Sequence, residues 1–277
     1  MPGTSADEAA PERVRWPRLT AAPDPRLRPL VSRGYAGFTE ATAPRHLVLP
    51  ATTAVPLVVK LADSPYRPPA FVMGGHDTSI VLEGDCAPSY LEVLLTPLGA
   101  YRVLGLPLDR LSGHTVDLAE LLGAGGRRLG ERLRDTPSWR RRFALMDQFL
   151  LRRLDQGPRP APEVGWAWQR LAASGGAVPI GELAREVGWS HKHLIARFRQ
   201  QVGLAPKAAA RLLRFNGVWR HLDEGRPLDW GLVAAETGYA DQAPPGPRVP
   251  PVHRHHPDRV PGQGQFRSRR HRDRSLA

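Results

Sequence analysis

Residues 180–206 read IGELAREVGWSHKHLIARFRQQVGLAP, and the reading of this stretch decides the fold of the C-terminal part of the chain. Ile180, Leu183, Ala184 and Val187 fall at three- and four-residue spacing, the apolar stripe of a short helix. Gly188 supplies the left-handed conformation that ends it, and Ser190 is placed to cap the next helix through its hydroxyl. Leu194, Phe198 and Val202 form the inner stripe of that second helix, which Gly203 and Pro206 stop. Two short helices joined by a tight Gly-containing turn make a helix-turn-helix, whose second helix can enter a DNA major groove. With Leu194 and Phe198 turned inward, Lys192, Ile195, Ala196 and Arg199 share another face at i, i+3, i+4 and i+7.

Charge favours a polyanion on that face. No acidic residue occurs between Glu186 and Asp223, whereas Lys192, Arg197, Arg199, Lys207, Arg211, Arg214 and Arg220 are all basic. An ordinary solvated helix surface mixes both signs, and each phosphate neutralised by such a cation steepens the salt dependence of binding. His191 and His193, at i and i+2, point to different sides of a helix and make a poor metal pair; polar or phosphate contact suits them better. Trp166, Trp168, Trp189 and Trp230 are expected in the core or at caps, not as a base-stacking set.

Upstream, DQGPRPAPEVG at residues 155–165 is a Pro- and Gly-rich break, and residues 156–165 are the expected linker. Before it the period changes. HLVLP, VPLVVKLA, FVMGG, TSIVLEG and YLEVLLTP are short β-prone runs between Arg33 and Thr96, predicting a small antiparallel barrel or sandwich. VDLAELLG, RRLGERLR and WRRRFALMDQFLLRRL then predict a pair of amphipathic helices, with Asp117 and Ser138 at N-cap positions. The expected fold class is α+β. Residues 1–30, rich in Pro, Ala and Arg, are expected as a flexible leader, and residues 31–155 as a β-rich domain for sensing or dimerisation.

With 277 residues and 41% hydrophobic content, the chain has room for two globular domains. A formal net charge of +12 points to a polyanionic partner, nucleic acid or an anionic surface. A single cysteine, Cys86, excludes an internal disulfide and a multi-cysteine metal site, and fits a small buried side chain in a reducing compartment. No run has the length and apolarity of a membrane span or signal peptide, so a cytoplasmic location is expected. Neither GxSxG, HExxH, GxGxxG nor a phosphate loop is present, and His46, His76 and His114 form no HxH pair. No enzyme activity, cofactor or metal is expected.

Residues 166–242 resemble the DNA-binding domain of the AraC/XylS family of transcription regulators. The likeness lies in LAREVGWSHKHLIARFRQQVGLAPKAAARLLRF, a connecting helix at 207–222, and PLDWGLVAAETGYADQ. It implies two helix-turn-helix units docked in successive major grooves of double-stranded promoter DNA. Lys192, Ile195, Ala196 and Arg199 would face bases; Ser190, His191, Arg197 and Lys207 would lie along the backbone. Apolar Ile195 and Ala196 suit a thymine methyl, and the cations suit guanine or phosphate. The resemblance is also compatible with a cupin-like N-terminal domain, a small-molecule effector, and a homodimer.

The pattern breaks after Gln242. A second recognition helix belongs there, but the chain reads APPGPRVPPVHRHH, with Pro244, Pro245, Pro247, Pro250 and Pro251. Each proline inside a helix costs about 3 kcal/mol through a lost hydrogen bond and a clash, so the second unit is expected to be incomplete. Residues 243–277 are expected as a disordered basic tail. The preferred reading is that this tail is an out-of-frame segment; the alternative is a natural disordered basic tail whose HRHH cluster is a metal-binding tract. Back-translation from Ala243 with freely chosen third bases, less one C, yields AHLVREFRRFTGITPTAFPGRVN, the missing helix. The first and third bases of each shifted codon are fixed by the chain; only the middle one is free. On this reading the tail's eight Arg and two Asp carry no functional information.

Overall fold

The computed structural model describes residues 18–39, 46–65, 67–83 and 89–223. The calls on Cys86, Trp230, the GYADQ element and residues 243–277 lie outside the described residues, as does the side chain of Arg220. An α+β chain results: a six-stranded antiparallel sheet with a separate two-stranded ribbon, followed by a helical region.

The sheet runs in the order β1 (Arg18–Ala21), β2 (Tyr35–Phe38), β7 (Tyr90–Leu95), β4 (Val55–Lys60), β5 (Ala70–Met73), β8 (Thr115–Asp117). The ribbon pairs β3 (His46–Leu49) with β6 (Ile80–Glu83). β7 shows why these segments are strands. Its side chains alternate, so Leu91, Val93 and Leu95 are fully buried while Glu92 and Leu94 turn to the other face. It sits between β2 and β4, with Val59 opposite Leu91 and Leu57 opposite Val93, which stacks the apolar sets of both strands on one side.

Four helices contribute to that apolar face where sequence periodicity predicted two. They are α1 (Pro97–Leu104), α2 (Leu118–Leu122), α3 (Ala124–Asp135) and α4 (Trp139–Gln156). Thr96 caps α1 by accepting from Gly99 N at 3.1 Å, and Gly105, at φ +74°, ends it. Asp117 caps α2 by accepting from Ala119 N at 2.7 Å, as expected. Val103, Leu133, Met146 and Leu150 join Val55, Leu57 and Val59 in one core.

The leader expectation needs correction from residue 18 onward. β1 pairs with β2, and Leu27 is fully buried. Asp147 on α4 accepts from Asp24 N at 3.0 Å and from the Tyr35 hydroxyl at 2.6 Å, tying this segment to the helix layer. Burial, the carboxylate of Asp147 and that of Asp24 all push the Tyr35 phenol upward. Barrel closure is also absent from the described strand pairings, where β1 and β8 are the sheet's edges.

The expected linker is partly helical. Gln156 is the last residue of α4, and Pro162 is the first of α5 (Pro162–Ala173), a position where proline's missing N–H costs nothing. α6 (Ile180–Glu186), α7 (His191–Val202) and α8 (Pro206–Asp223) follow. They enclose a second core of Val164, Ala167, Leu171, Leu183, Leu194, Phe198 and Ala209. Trp168 and Trp189 pack partly buried against it, but Trp166 is exposed, contrary to expectation, because its position on α5 falls outside the buried stripe of Val164, Ala167 and Leu171.

Candidate nucleic-acid interface

The turn between α6 and α7 is held by three backbone bonds, from Val187 N to Leu183 O, Gly188 N to Arg185 O, and Trp189 N to Ala184 O. Gly188 takes φ +70°, the left-handed conformation in which L-residues are strained. Ser190 then caps α7, its hydroxyl accepting from His193 N at 3.2 Å. At the far end Gly203, at φ +91°, closes the helix by donating to Arg199 O at 2.9 Å. Pro206 starts α8 as its first residue, so it both prevents α7 from continuing and nucleates the next helix.

Between those caps α7 has two faces. Leu194 and Phe198 are fully buried and Val202 nearly so; Trp168 lies against Phe198 with ring centroids 6.3 Å apart. On the other side Lys192, Ala196 and Arg199 are exposed and Ile195 is half-buried. The structure thus brings together on one open surface the four residues expected to face bases. His191 is exposed in the first turn, Lys207 in the first turn of α8. Arg197 is exposed and donates to Gln200 Oε1 at 2.8 Å. Among the described residues Lys192, Arg197, Arg199 and Lys207 enter no ion pair. The helix dipole at the start of α7, with no acid in the first turn, adds to this positive surface.

Two of the cations in the acid-free stretch are otherwise engaged. Arg211 pairs with Asp77 at 2.9 Å, and Arg214 donates to Gly176 O at 2.5 Å. His193 lies edge-on to the Trp189 ring at 4.5 Å, which makes it part of the turn. No group of three or more His, Cys, Asp or Glu able to hold a metal occurs among the described residues.

Sequence reasoning missed how α7 is anchored. Gln201, 1% exposed, accepts from Ala161 N at 2.9 Å and so holds the start of α5. The Ser112 hydroxyl donates to Gly203 O, and Leu108, in a short 3-10 turn at Leu108–Arg110, packs over Gly203. Leu98 of α1 reaches the second core. A glutamine in the apolar stripe was the one visible signal; the contacts with the sheet domain span about ninety residues of sequence and leave no periodic trace.

The first class this geometry defines is the helix-turn-helix proteins, with a capped second helix presenting a cationic face. Over 92 residues the chain is 32% identical to the uncharacterized HTH-type transcriptional regulator YbfI of Bacillus subtilis (strain 168), a stretch covering 32% of this chain and 32% of that protein. The chain thus matches about a third of that relative's length. No protein-family model matches the chain, and no solved structure matches it. No helix among the described residues is long and apolar enough to cross a membrane.

Proposed function

We propose that the chain is a DNA-binding transcription regulator of AraC/XylS type that reads double-stranded promoter DNA with α7. The open face bearing Lys192, Ile195, Ala196 and Arg199 carries the reading. These four approach base edges in the major groove, while Ser190, His191, Arg197 and Lys207 follow the phosphates. The cationic surface has no internal acid to neutralise it, so counterion release favours a duplex. The sheet and α1–α4 form the sensing half, and the protein is not an enzyme. Selection of bound sequences from a random duplex pool tests this. Lys192→Ala and Arg199→Ala should each weaken the selected site by about 1–3 kcal/mol, or flatten its salt dependence by about one ion if the contact is to phosphate. Unchanged binding by both variants would remove α7 from the interface.

The proline run after Gln242 favours a second reading, in which a one-nucleotide frameshift removed the second recognition helix and left a DNA-binding-defective descendant. Nucleotides around codon 244 incompatible with the shifted frame would sink it. The chain encoded after deletion of one nucleotide should bind the selected duplex orders of magnitude more tightly, because it regains a set of base and phosphate contacts. Equal affinity would retain the first reading alone.

A further inference from the structure

Described residues of the loop between β4 and β5 line an open cavity of about 430 Å³, with Lys60, Asp63, Ser64, Arg67 and, from α3, Arg134 in its lining. Lys60 is the last residue of β4 and is 6% exposed. Its ammonium donates to Ser64 O at 2.8 Å and Arg67 O at 2.6 Å, fixing the loop around itself. Arg67 is held at φ +64°, the one described residue other than glycine with positive φ. A left-handed arginine is strained, and such strain persists where surrounding contacts impose it. The bonds from Lys60 are among those contacts. Three cations therefore meet Asp63 as the one acid lining the cavity among the described residues.

We infer that this cavity binds a small dianion carrying phosphoryl or carboxylate oxygens, held by the guanidinium groups of Arg67 and Arg134 in the field of Lys60. Burial pushes the Lys60 ammonium below the usual lysine range; Arg67 and Arg134 push the same way, against Asp63. Like charges gathered at one site repel, and an anion between them converts that repulsion into charge-assisted hydrogen bonds. Arginine's planar fork suits both oxyanion types. The volume lies in the range of small-molecule sites, whereas a duplex needs an open surface of greater extent. Nothing in the second core contributes to the cavity, so the site stands independently of how α7 is used.

Calorimetric and thermal-unfolding titrations of the full chain with inorganic phosphate and with succinate, at constant ionic strength, test the site. Saturable binding of one or both is expected, with the preferred probe distinguishing phosphoryl from carboxylate ligands. Arg134→Ala should weaken it at least tenfold without lowering the unfolding temperature. Arg67→Gly should also lose binding yet raise the unfolding temperature, since glycine accepts φ +64° without strain. That opposite movement separates lost recognition from lost folding. Equal responses in all three proteins, or no saturable binding of either probe, would overturn the inference. So would loss of duplex affinity in Arg134→Ala without dianion binding to the parent chain, which would assign the cations to DNA.

Discussion

The outer face and the C-terminal end of α7 are put to opposite uses. From its first turn to its last, Lys192, Ala196 and Arg199 lie uncovered on the outer face, while Gln201, Val202 and Gly203 at the C-terminal end are all buried. The first turns are tied down by the Ser190 cap, the turn before it and buried Leu194. The closed end meets α5 through Gln201 and the sheet domain through Ser112 and Leu108. One helix thus presents an open cationic face along its length and receives its position at its C-terminal end. Substitutions at its open face should change binding and leave stability alone, whereas substitutions along its buried side should do the reverse.

The strongest attempt to break that division is Phe198→Ala. The ring is fully buried between Leu194, Val202 and Trp168, so truncation should cost about 3–5 kcal/mol in denaturant unfolding. Arg199, the next residue but exposed, should change stability by no more than about 0.5 kcal/mol as alanine. Comparable losses at both positions would mean that the open face is not open. Next in size is Gly203→Ala. At φ +91° the added Cβ is strained, and it would lie 3.3 Å from the Leu108 Cβ. A loss of about 1–3 kcal/mol in thermal unfolding is expected from the backbone conformation. The crowding atoms are the Leu108 Cβ and backbone, which alanine would retain, so Leu108→Ala in the same background should recover none of the loss.

The same contrast explains what the sequence made legible. α6, the turn and α7 are written in local signals: the stripes Leu183–Ala184–Val187 and Leu194–Phe198–Val202, Gly188, and Ser190 each act within a few residues. So too were β3 to β7, as short β-prone runs. β1 and β2 were missed because RLTA and YAGF carry no alternation; they become strands by pairing with each other and with β7. Leu27 and Asp24 gave no hint that α4 would hold them, since Asp147 lies more than a hundred residues away. The four residues Lys192, Ile195, Ala196 and Arg199 were found by helical arithmetic alone. The cavity around Lys60 was not, because its charges come from β4, a loop and α3, and only the fold brings them together.

The smallest effect is expected at the ion pair between Arg211 and Asp77, and it tests whether the closed end of the helical unit is indifferent to DNA. Both side chains are 43% exposed, so solvent screens the pair and its contribution should fall within about 0–1 kcal/mol. Asp77→Asn should therefore lower the unfolding temperature slightly at low salt and hardly at all at high salt, where the screening length falls to a few ångströms. Its larger consequence is to release Arg211 beside a stretch of α7 and α8 that carries no acid. If the sheet domain only positions α7, the dependence of duplex affinity on salt should be the same in Asp77→Asn as in the parent. If Arg211 instead turns to the duplex once released, the slope should steepen by roughly one phosphate contact. The second result would show the sheet domain competing with DNA for the same cation, and the division between the open face and the anchored end would fail at Arg211.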